Sequence, residues 1–80
     1  MKSILFTGAS RRQFRGLPAQ ARDQVMARLT GYADTGAGDV KTMQGREGFR
    51  LRSGDYRVIF VETATEIEVR AVGHRRDIYR

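Results

Sequence analysis

The chain has 80 residues, of which 40% are apolar and 30% are charged, and it contains no cysteine. This length predicts a single domain over residues 1–80, and the composition is typical of a folded protein rather than a disordered one. A chain without cysteine cannot form a disulfide framework or a thiolate metal site. The apolar run from Ile4 to Phe6 is too short for a signal peptide or a membrane-spanning helix, so we expect a cytoplasmic protein.

The charge of the chain points to an anionic partner. Fifteen basic residues against nine acidic ones give a net charge of +6, and thirteen of the basic residues are arginine. Such a charge favours binding to a nucleic acid, an acidic protein or an anionic membrane surface. Because a planar guanidinium group binds phosphate through two parallel hydrogen bonds, the excess of arginine favours phosphate or RNA.

The first third of the chain predicts a strand followed by a short helix. Residues 2–7 have the composition of a strand. The sequence from Ser10 to Gln13 has the spacing of a capping box, in which the Ser10 hydroxyl would cap a helix and Gln13 would reach back to its first amide. Gly16 is expected to end this helix.

A second, longer helix is predicted after Pro18, which suits the first position of a helix because its missing N–H is not needed there. Apolar residues recur at every fourth position along this segment: Ala21, Val25, Leu29 and Ala33. This spacing predicts an amphipathic helix with one buried face. Gly36 and Gly38 are expected to end it.

From Val40 onward the apolar residues alternate with polar ones, as in strands. Three strands are predicted over residues 49–52, 56–61 and 66–72, and short turns separate them. The predicted order is therefore β-α-α-β-β-β. This order implies an α+β fold with a small antiparallel sheet and both helices packed on one of its faces.

The alternation within these strands gathers basic residues on the face that the helices leave open. If Phe49 and Leu51 point toward the helices, Arg50 and Arg52 point away from them. Four further basic residues are expected close by: Lys41, Arg57, Arg75 and Arg76. Like charges gathered in this way raise the free energy of the fold unless an anion binds. The alternative is a solvated face whose cations pair with carboxylates on the strands: Glu62, Glu66, Glu68 and Asp77.

The sequence offers little for metal or nucleotide chemistry. It has one histidine, no carboxylate spacing typical of a divalent-ion site, and no phosphate-binding glycine loop of the usual patterns. RNA, however, carries its own nucleophile in the 2′-hydroxyl, so a metal-free site needs to stabilise the phosphate charge and to move protons. His74 and Tyr79, close to Arg75 and Arg76, are candidates for proton transfer. These residues leave open a nuclease or a basic module that only binds nucleic acid.

Two segments of the chain resemble the RelE family of toxins. They are Phe49–Phe60, read as FRLRSGDYRVIF, and Val72–Arg80, read as VGHRRDIYR. The Leu17-Pro18 step into a helix and the Lys41-x-x-x-Gly45 spacing match the same family. The resemblance implies a βααβββ toxin that an antitoxin neutralises. It also implies an endoribonuclease that cleaves mRNA in the ribosomal A site by 2′-hydroxyl attack and so inhibits translation, without metal, cofactor or membrane partner.

The resemblance also implies roles for single residues. Arg57 and Arg75 would stabilise the phosphate, and Tyr79 would transfer a proton or stack on a base. RNA-binding roles are implied for a further group: Lys41, Arg50, Arg52, His74 and Arg76. The related ParE toxins share the fold but act on DNA gyrase by protein binding, so a gyrase-directed toxin and a non-catalytic nucleic-acid-binding module stay open as alternatives.

Overall fold

A computed structural model of the chain describes residues 1–78. Its two helices and five strands follow in chain order as β1 (Ser3–Phe6), α1 (Gly8–Arg15), α2 (Ala19–Thr35), β2 (Val40–Thr42), β3 (Phe49–Ser53), β4 (Tyr56–Glu62) and β5 (Glu66–His74). The predicted α+β fold with two N-terminal helices is confirmed. None of the helices in residues 1–78 has the length and apolar content needed to cross a membrane.

The five strands form one sheet in the order β1-β5-β4-β3-β2. Strands β3, β4 and β5 pair antiparallel, as predicted. Strand β2 adds antiparallel to β3, and β1 pairs parallel with β5, which makes the sheet mixed. The two helices carry the chain from β1 back across the sheet before the meander begins. Strand β2 was not predicted, because three residues are too few for an alternating pattern to be recognised.

The helices cover one face of the sheet and form the core with it. The four α2 residues predicted to face inward are all buried: Ala21, Val25, Leu29 and Ala33. They pack over six buried residues of the sheet: Leu51, Val58, Phe60, Ile67, Val69 and Val72. Gly36 ends α2 in the left-handed conformation with a φ of 77°, as the sequence predicts.

The start of α1 differs from the prediction. Thr7, rather than Ser10, caps the helix, and its hydroxyl accepts a hydrogen bond from the Ser10 amide at 3.1 Å. Ser10 is instead fully buried in the first turn, where its hydroxyl donates to the Val69 carbonyl of β5 at 2.7 Å. Gln13 does not reach back either, since its Oε1 accepts from the Val72 amide at 2.9 Å. The polar side chains of this segment therefore join α1 to β5.

A bulge between β4 and β5 changes which residues of β5 face the core. Ile59 pairs with Ala71, whereas the next residue, Phe60, pairs with Val69, so Arg70 is an extra residue in β5. Because of this insertion the buried residues are Ile67, Val69 and Val72, with an uneven spacing. Without the bulge, Ala71 would take the inward position of Val72, and His74 would stand on the opposite face of the sheet.

A polar network fixes the first strand to the rest of the fold. The Lys2 ammonium lies 2.6 Å from Glu62 Oε2 at the end of β4, and the Tyr32 hydroxyl of α2 donates to Glu62 Oε1 at 2.6 Å. Burial alone would raise the pKa of Glu62, but the hydrogen bonds from Lys2 and Tyr32 lower it overall. Burial, together with the bond to Glu62, raises the pKa of Tyr32 to about 12. The ionised Glu62 is thus held between β1 and α2.

Candidate functional site

Basic side chains from three neighbouring strands meet on the face of the sheet that the helices leave open. Arg50 and Arg52 alternate with the inward-facing Phe49 and Leu51 along β3, as the sequence predicts. Across the sheet, Lys41 of β2 stands opposite Arg50 and Arg57 of β4 stands opposite Arg52. Directly opposite residues of antiparallel strands have Cβ atoms about 5 Å apart, so these cations are close neighbours.

The turn between β3 and β4 sets this register. Ser53 pairs with Tyr56, which leaves Gly54 and Asp55 as a two-residue loop. Gly54 has a φ of 58°, the conformation that a type II′ hairpin turn requires at its first loop position. A two-residue loop fixes the pairing of every residue that follows, and it is this pairing that places Arg52 opposite Arg57.

The chain beyond β5 adds two more arginines from the side. The Arg75 amide donates to the Asp55 carbonyl at 2.8 Å, and Arg75 Nε lies 3.7 Å from Asp55 Oδ1. The amides of Asp77 and Ile78 both donate to the His74 carbonyl, at 2.8 and 3.0 Å. These bonds close a turn directly after β5 and hold it against the β3–β4 loop, so Arg75 and Arg76 lie at the end of the same face.

Together these residues line one cavity of about 410 Å³. Its lining contains six cationic side chains and one carboxylate: Lys41, Arg50, Arg52, Arg57, Arg75, Arg76 and Asp39. Six cations around one carboxylate leave a strongly positive field, which attracts anions and raises their local concentration. An oxygen-rich anion such as a phosphodiester would relieve the repulsion among the guanidinium groups and accept their hydrogen bonds.

The guanidinium of Arg57 is held in place from one side. One of its terminal nitrogens donates to the carbonyl oxygens of Gly54 and Tyr56, at 2.8 and 2.9 Å. The other N–H groups of a guanidinium remain able to donate to a ligand, since arginine has five donors. Arg57 is also only half exposed, whereas Arg52 and Arg76 are exposed. The fold thus restricts the position of the Arg57 guanidinium through two hydrogen bonds to the β3–β4 hairpin.

Two of the predicted site residues are not among those that line the cavity. His74 lies on the other face of the sheet, and Tyr79 lies outside the described residues. The bulge in β5 puts His74 on the helix side of the sheet, where its ring contacts Tyr56 edge-on at 5.5 Å. His74 lines a separate depression with Leu17 and Pro18, and its Nδ1 accepts from the Arg76 amide at 3.1 Å. Tyr79 lies outside the described residues, so its predicted role as a proton-transfer or stacking group remains a prediction.

Two of the four carboxylates that could have neutralised the open face are engaged away from the cavity. Glu62 pairs with Lys2, and Glu68 pairs with Arg70 at 2.9 Å. Asp39, by contrast, lines the cavity without having been predicted. It is held there because its carbonyl accepts from the Arg52 amide at 2.9 Å. No sequence signal marked it, since it sits between a glycine-rich loop and a strand too short to recognise. No group of three or more metal-ligating side chains occurs within residues 1–78.

Comparison with known proteins identifies the fold. No protein-family model matches the chain, and no curated protein sequence is significantly similar to it. Among solved structures, the RelE–RelB toxin–antitoxin complex of Methanococcus jannaschii matches with a TM-score of 0.77 at 22% identity, over 94% of both chains. The isolated RelE toxin of E. coli matches with a TM-score of 0.77 at 19% identity, over 92% of this chain and 84% of that one. YoeB of Staphylococcus aureus matches with a TM-score of 0.76 at 12% identity, over 91% of this chain and 95% of that one. The chain therefore has the fold of the RelE toxins.

Proposed function

We propose that this protein is the toxin of a toxin–antitoxin pair and a metal-independent endoribonuclease that cleaves mRNA in the A site of the ribosome in the cytoplasm. The observation that carries this proposal is the cavity on the open face of the sheet, which is lined by six cationic side chains. Support for the toxin role comes from the fold, because the similar structures include toxins solved alone and in complex with antitoxins.

The proposed reaction uses the substrate's own nucleophile. The 2′-oxygen attacks the adjacent phosphorus, the bond from phosphorus to the 5′-oxygen breaks, and the products are a 2′,3′-cyclic phosphate and a 5′-hydroxyl. The proton of the 2′-hydroxyl leaves to a base, and the departing 5′-oxygen takes up a proton. Negative charge grows on the phosphate oxygens in the transition state, so preorganised cations lower the barrier.

The arginines of the cavity take different roles in this proposal. Arg57 and Arg75 are fixed by bonds to the β3–β4 hairpin, which suits them to stabilise the transition state. Lys41, Arg50, Arg52 and Arg76 line the rest of the cavity and would hold the RNA backbone. Tyr79 would transfer a proton or stack on a base, as the family resemblance implies.

A cleavage assay with matched variants tests this function. Purified protein is added to translating ribosomes with a defined mRNA, and the cut positions are mapped by primer extension. We expect cuts within codons for the wild type and for Arg46→Ala, because Arg46 is exposed and does not line the cavity. Arg57→Ala should lower the cleavage rate by on the order of 10²-fold, as expected for the loss of one preorganised charge stabiliser. Intact mRNA in the presence of folded wild-type protein would overturn the proposal.

The antitoxin partner follows from the same charge. A protein with a net charge of +6 and a positive cavity is complemented by an acidic segment that covers the cavity and blocks the substrate. Its affinity should fall as the salt concentration rises, because the interaction is between exposed charges. The product of the gene adjacent to this one is the partner to purify and test.

A further inference from the structure

The last residues of β5 extend beyond the end of β1. Strand β1 pairs only with residues 66–69 of β5, whereas β5 continues to His74. The Val72 amide points to the side that β1 leaves uncovered, since it donates to Gln13 Oε1 at 2.9 Å. Because the bonding direction alternates along an antiparallel strand, the Val72 carbonyl and the His74 amide point to the same side. This end of β5 therefore presents a main-chain acceptor and a main-chain donor at its outer edge.

A depression of about 600 Å³ lies against this outer edge, between the end of α1, the start of α2 and the turn that follows β5. We call it the β5-edge depression. Five of its lining residues are apolar or aromatic: Leu17, Pro18, Tyr56, His74 and Ile78. The rings of Tyr56 and His74 meet edge-on, with their centroids 5.5 Å apart. The depression thus offers flat aromatic surface together with aliphatic surface.

Polar side chains of the same depression add separate donors and acceptors. The Oε1 atom of Gln13 is used by the Val72 amide, which leaves the two N–H groups of the Gln13 amide able to donate to a ligand. His74 Nδ1 accepts from the Arg76 amide at 3.1 Å, so a neutral imidazole carries its proton on Nε2 and can donate it. Asp77 adds a carboxylate that accepts hydrogen bonds. Proteins recognise unpaired nucleobases with this combination, because aromatic groups stack on the base and polar groups bond its edges.

The β5-edge depression adjoins the positive cavity. A Cβ atom added at Gly73 would point to the open face, opposite to His74, and would lie 3.5 Å from Ile78 Cδ1. The depression therefore extends around the edge of β5 to the face that carries the cavity. Gly73 lines the depression and pairs directly with Arg57, which lines the cavity. Since neighbouring strands lie about 5 Å apart, a nucleotide whose phosphate is bound at Arg57 can place its base at the edge of β5.

We propose that the β5-edge depression binds one nucleobase of the single-stranded RNA whose phosphate lies in the positive cavity. This inference rests on the proposed function, because it adds a base-binding site for the same substrate. Tyr56, His74 and Ile78 contact the face of the base, and the polar groups at the edge of β5 bond to its rim. His74, for which the family resemblance implies RNA binding, then binds a base rather than a phosphate.

The two sites divide the recognition of RNA between them. Contacts to phosphate position a nucleic acid without reading its sequence, whereas contacts to base edges give sequence preference. The cavity by itself would therefore bind RNA of any sequence. The donors and acceptors of the depression should make binding depend on the base that occupies it.

NMR of the unmodified protein provides the direct test. The probes are trinucleotides of each of the four bases with 2′-deoxyribose, which 2′-hydroxyl attack cannot cleave, and an abasic trinucleotide of the same charge. At least one base should give nuclear Overhauser effects from its ring protons to the Ile78 methyl groups and the His74 ring. The abasic probe should shift the resonances of Arg57 and leave those of Ile78 and His74 unchanged. Equal shifts of Ile78 and His74 with and without bases would overturn the inference.

A variant that fills the depression, with a matched control, provides a second test. Gly16 lines the depression and has a φ of −79°, so a side chain there causes no backbone strain. Gly16→Trp should bind the preferred trinucleotide at least about fivefold more weakly than the wild type, as expected when stacking on one base is lost. It should bind the abasic probe with unchanged affinity. Gly8→Trp, which makes the same replacement at the exposed start of α1 outside the depression, should bind both probes as the wild type does.

The outcomes separate this inference from the proposed function. If the base-containing probes shift Arg57 but bind Gly16→Trp as tightly as the wild type, base binding in the depression is wrong and the proposed function stands. If no probe shifts a resonance of the cavity or of the depression, the inference is wrong, and the cleavage assay decides separately on the proposed function. Thermal melts show whether each variant is folded, and the Overhauser measurement on the wild type decides the matter for a variant that is not.

Discussion

The crowding of cations on the open face predicts that one charge reversal should stabilise the fold while it weakens anion binding. Arg52 stands directly opposite Arg57 in the β3–β4 pairing. In Arg52→Glu this like-charge pair becomes an opposite-charge pair across the sheet. The net charge falls from +6 to +4, which also lowers the general repulsion within the chain.

The magnitude follows from the geometry of the pair. A directly opposite cross-strand pair contributes roughly 0.2–1 kcal/mol of either sign, and the reversal removes one unfavourable pair and adds one favourable pair. Since Arg52 is exposed, solvent screening reduces the gain, and we expect about 1 kcal/mol. For a chain of this size, that change raises the melting temperature by about 4–8 °C.

Thermal melts at two salt concentrations provide the assay. The gain should shrink between about 0.1 M and 1 M salt, because the screening length falls from about 10 Å to about 3 Å. Arg46→Glu serves as the control, since it makes the same change in net charge at an exposed position outside the cavity. Arg52→Glu should also bind a single-stranded RNA oligonucleotide more weakly than the control does. A melting temperature no higher than that of Arg46→Glu at low salt would refute the argument that these cations repel one another.

Three further predictions concern the scaffold that positions the site. Because burial and the bond to Glu62 raise the pKa of Tyr32 from 10.0 to about 12, the stability that the neutral phenol contributes is complete below pH 10 and is lost as the pH rises from 10 to 12. Urea titrations across this range should show the loss, and Tyr32→Phe should lack it; an equal loss in the variant would assign it to other groups. Gly48 has a φ of 111°, and a Cβ there would lie 2.8 Å from the Phe60 carbonyl oxygen, so Gly48→Ala should destabilise the fold by about 2 kcal/mol or more. An unchanged urea midpoint for that variant would contradict the close approach. Ser10→Ala removes one of two donors to the Val69 carbonyl, which still accepts from the Thr7 amide at 3.2 Å, and should cost about 0.5–1.5 kcal/mol. It is measured in the same way against the exposed Ser3→Ala, which should cost almost nothing.

The sequence alone predicted the features of the fold that depend on local periodicity. The four-residue spacing of apolar side chains in α2 predicted its buried face, because a helix places every fourth residue on one side whatever it packs against. The alternation in β3 likewise predicted that Arg50 and Arg52 share the face opposite Phe49 and Leu51. The hairpin loop at Gly54 and Asp55 is local as well, and it sets the register that brings Arg57 to Arg52.

What the sequence could not show depends on contacts between distant segments. The bulge in β5 exists only in the pairing of that strand with β4, and by inserting Arg70 it moves His74 from the side of the arginines to the side of the helices. The sequence predicted Ser10 as the cap of α1, but Ser10 is bonded to β5, 59 residues away, and Thr7 caps the helix instead. Contacts between distant segments also determine three other features that the sequence did not predict. They are the parallel pairing of β1 with β5, the short edge strand β2 and the place of Asp39 in the cavity. Periodicity along the chain specifies which side chains share a face, but pairing across the chain specifies which faces meet.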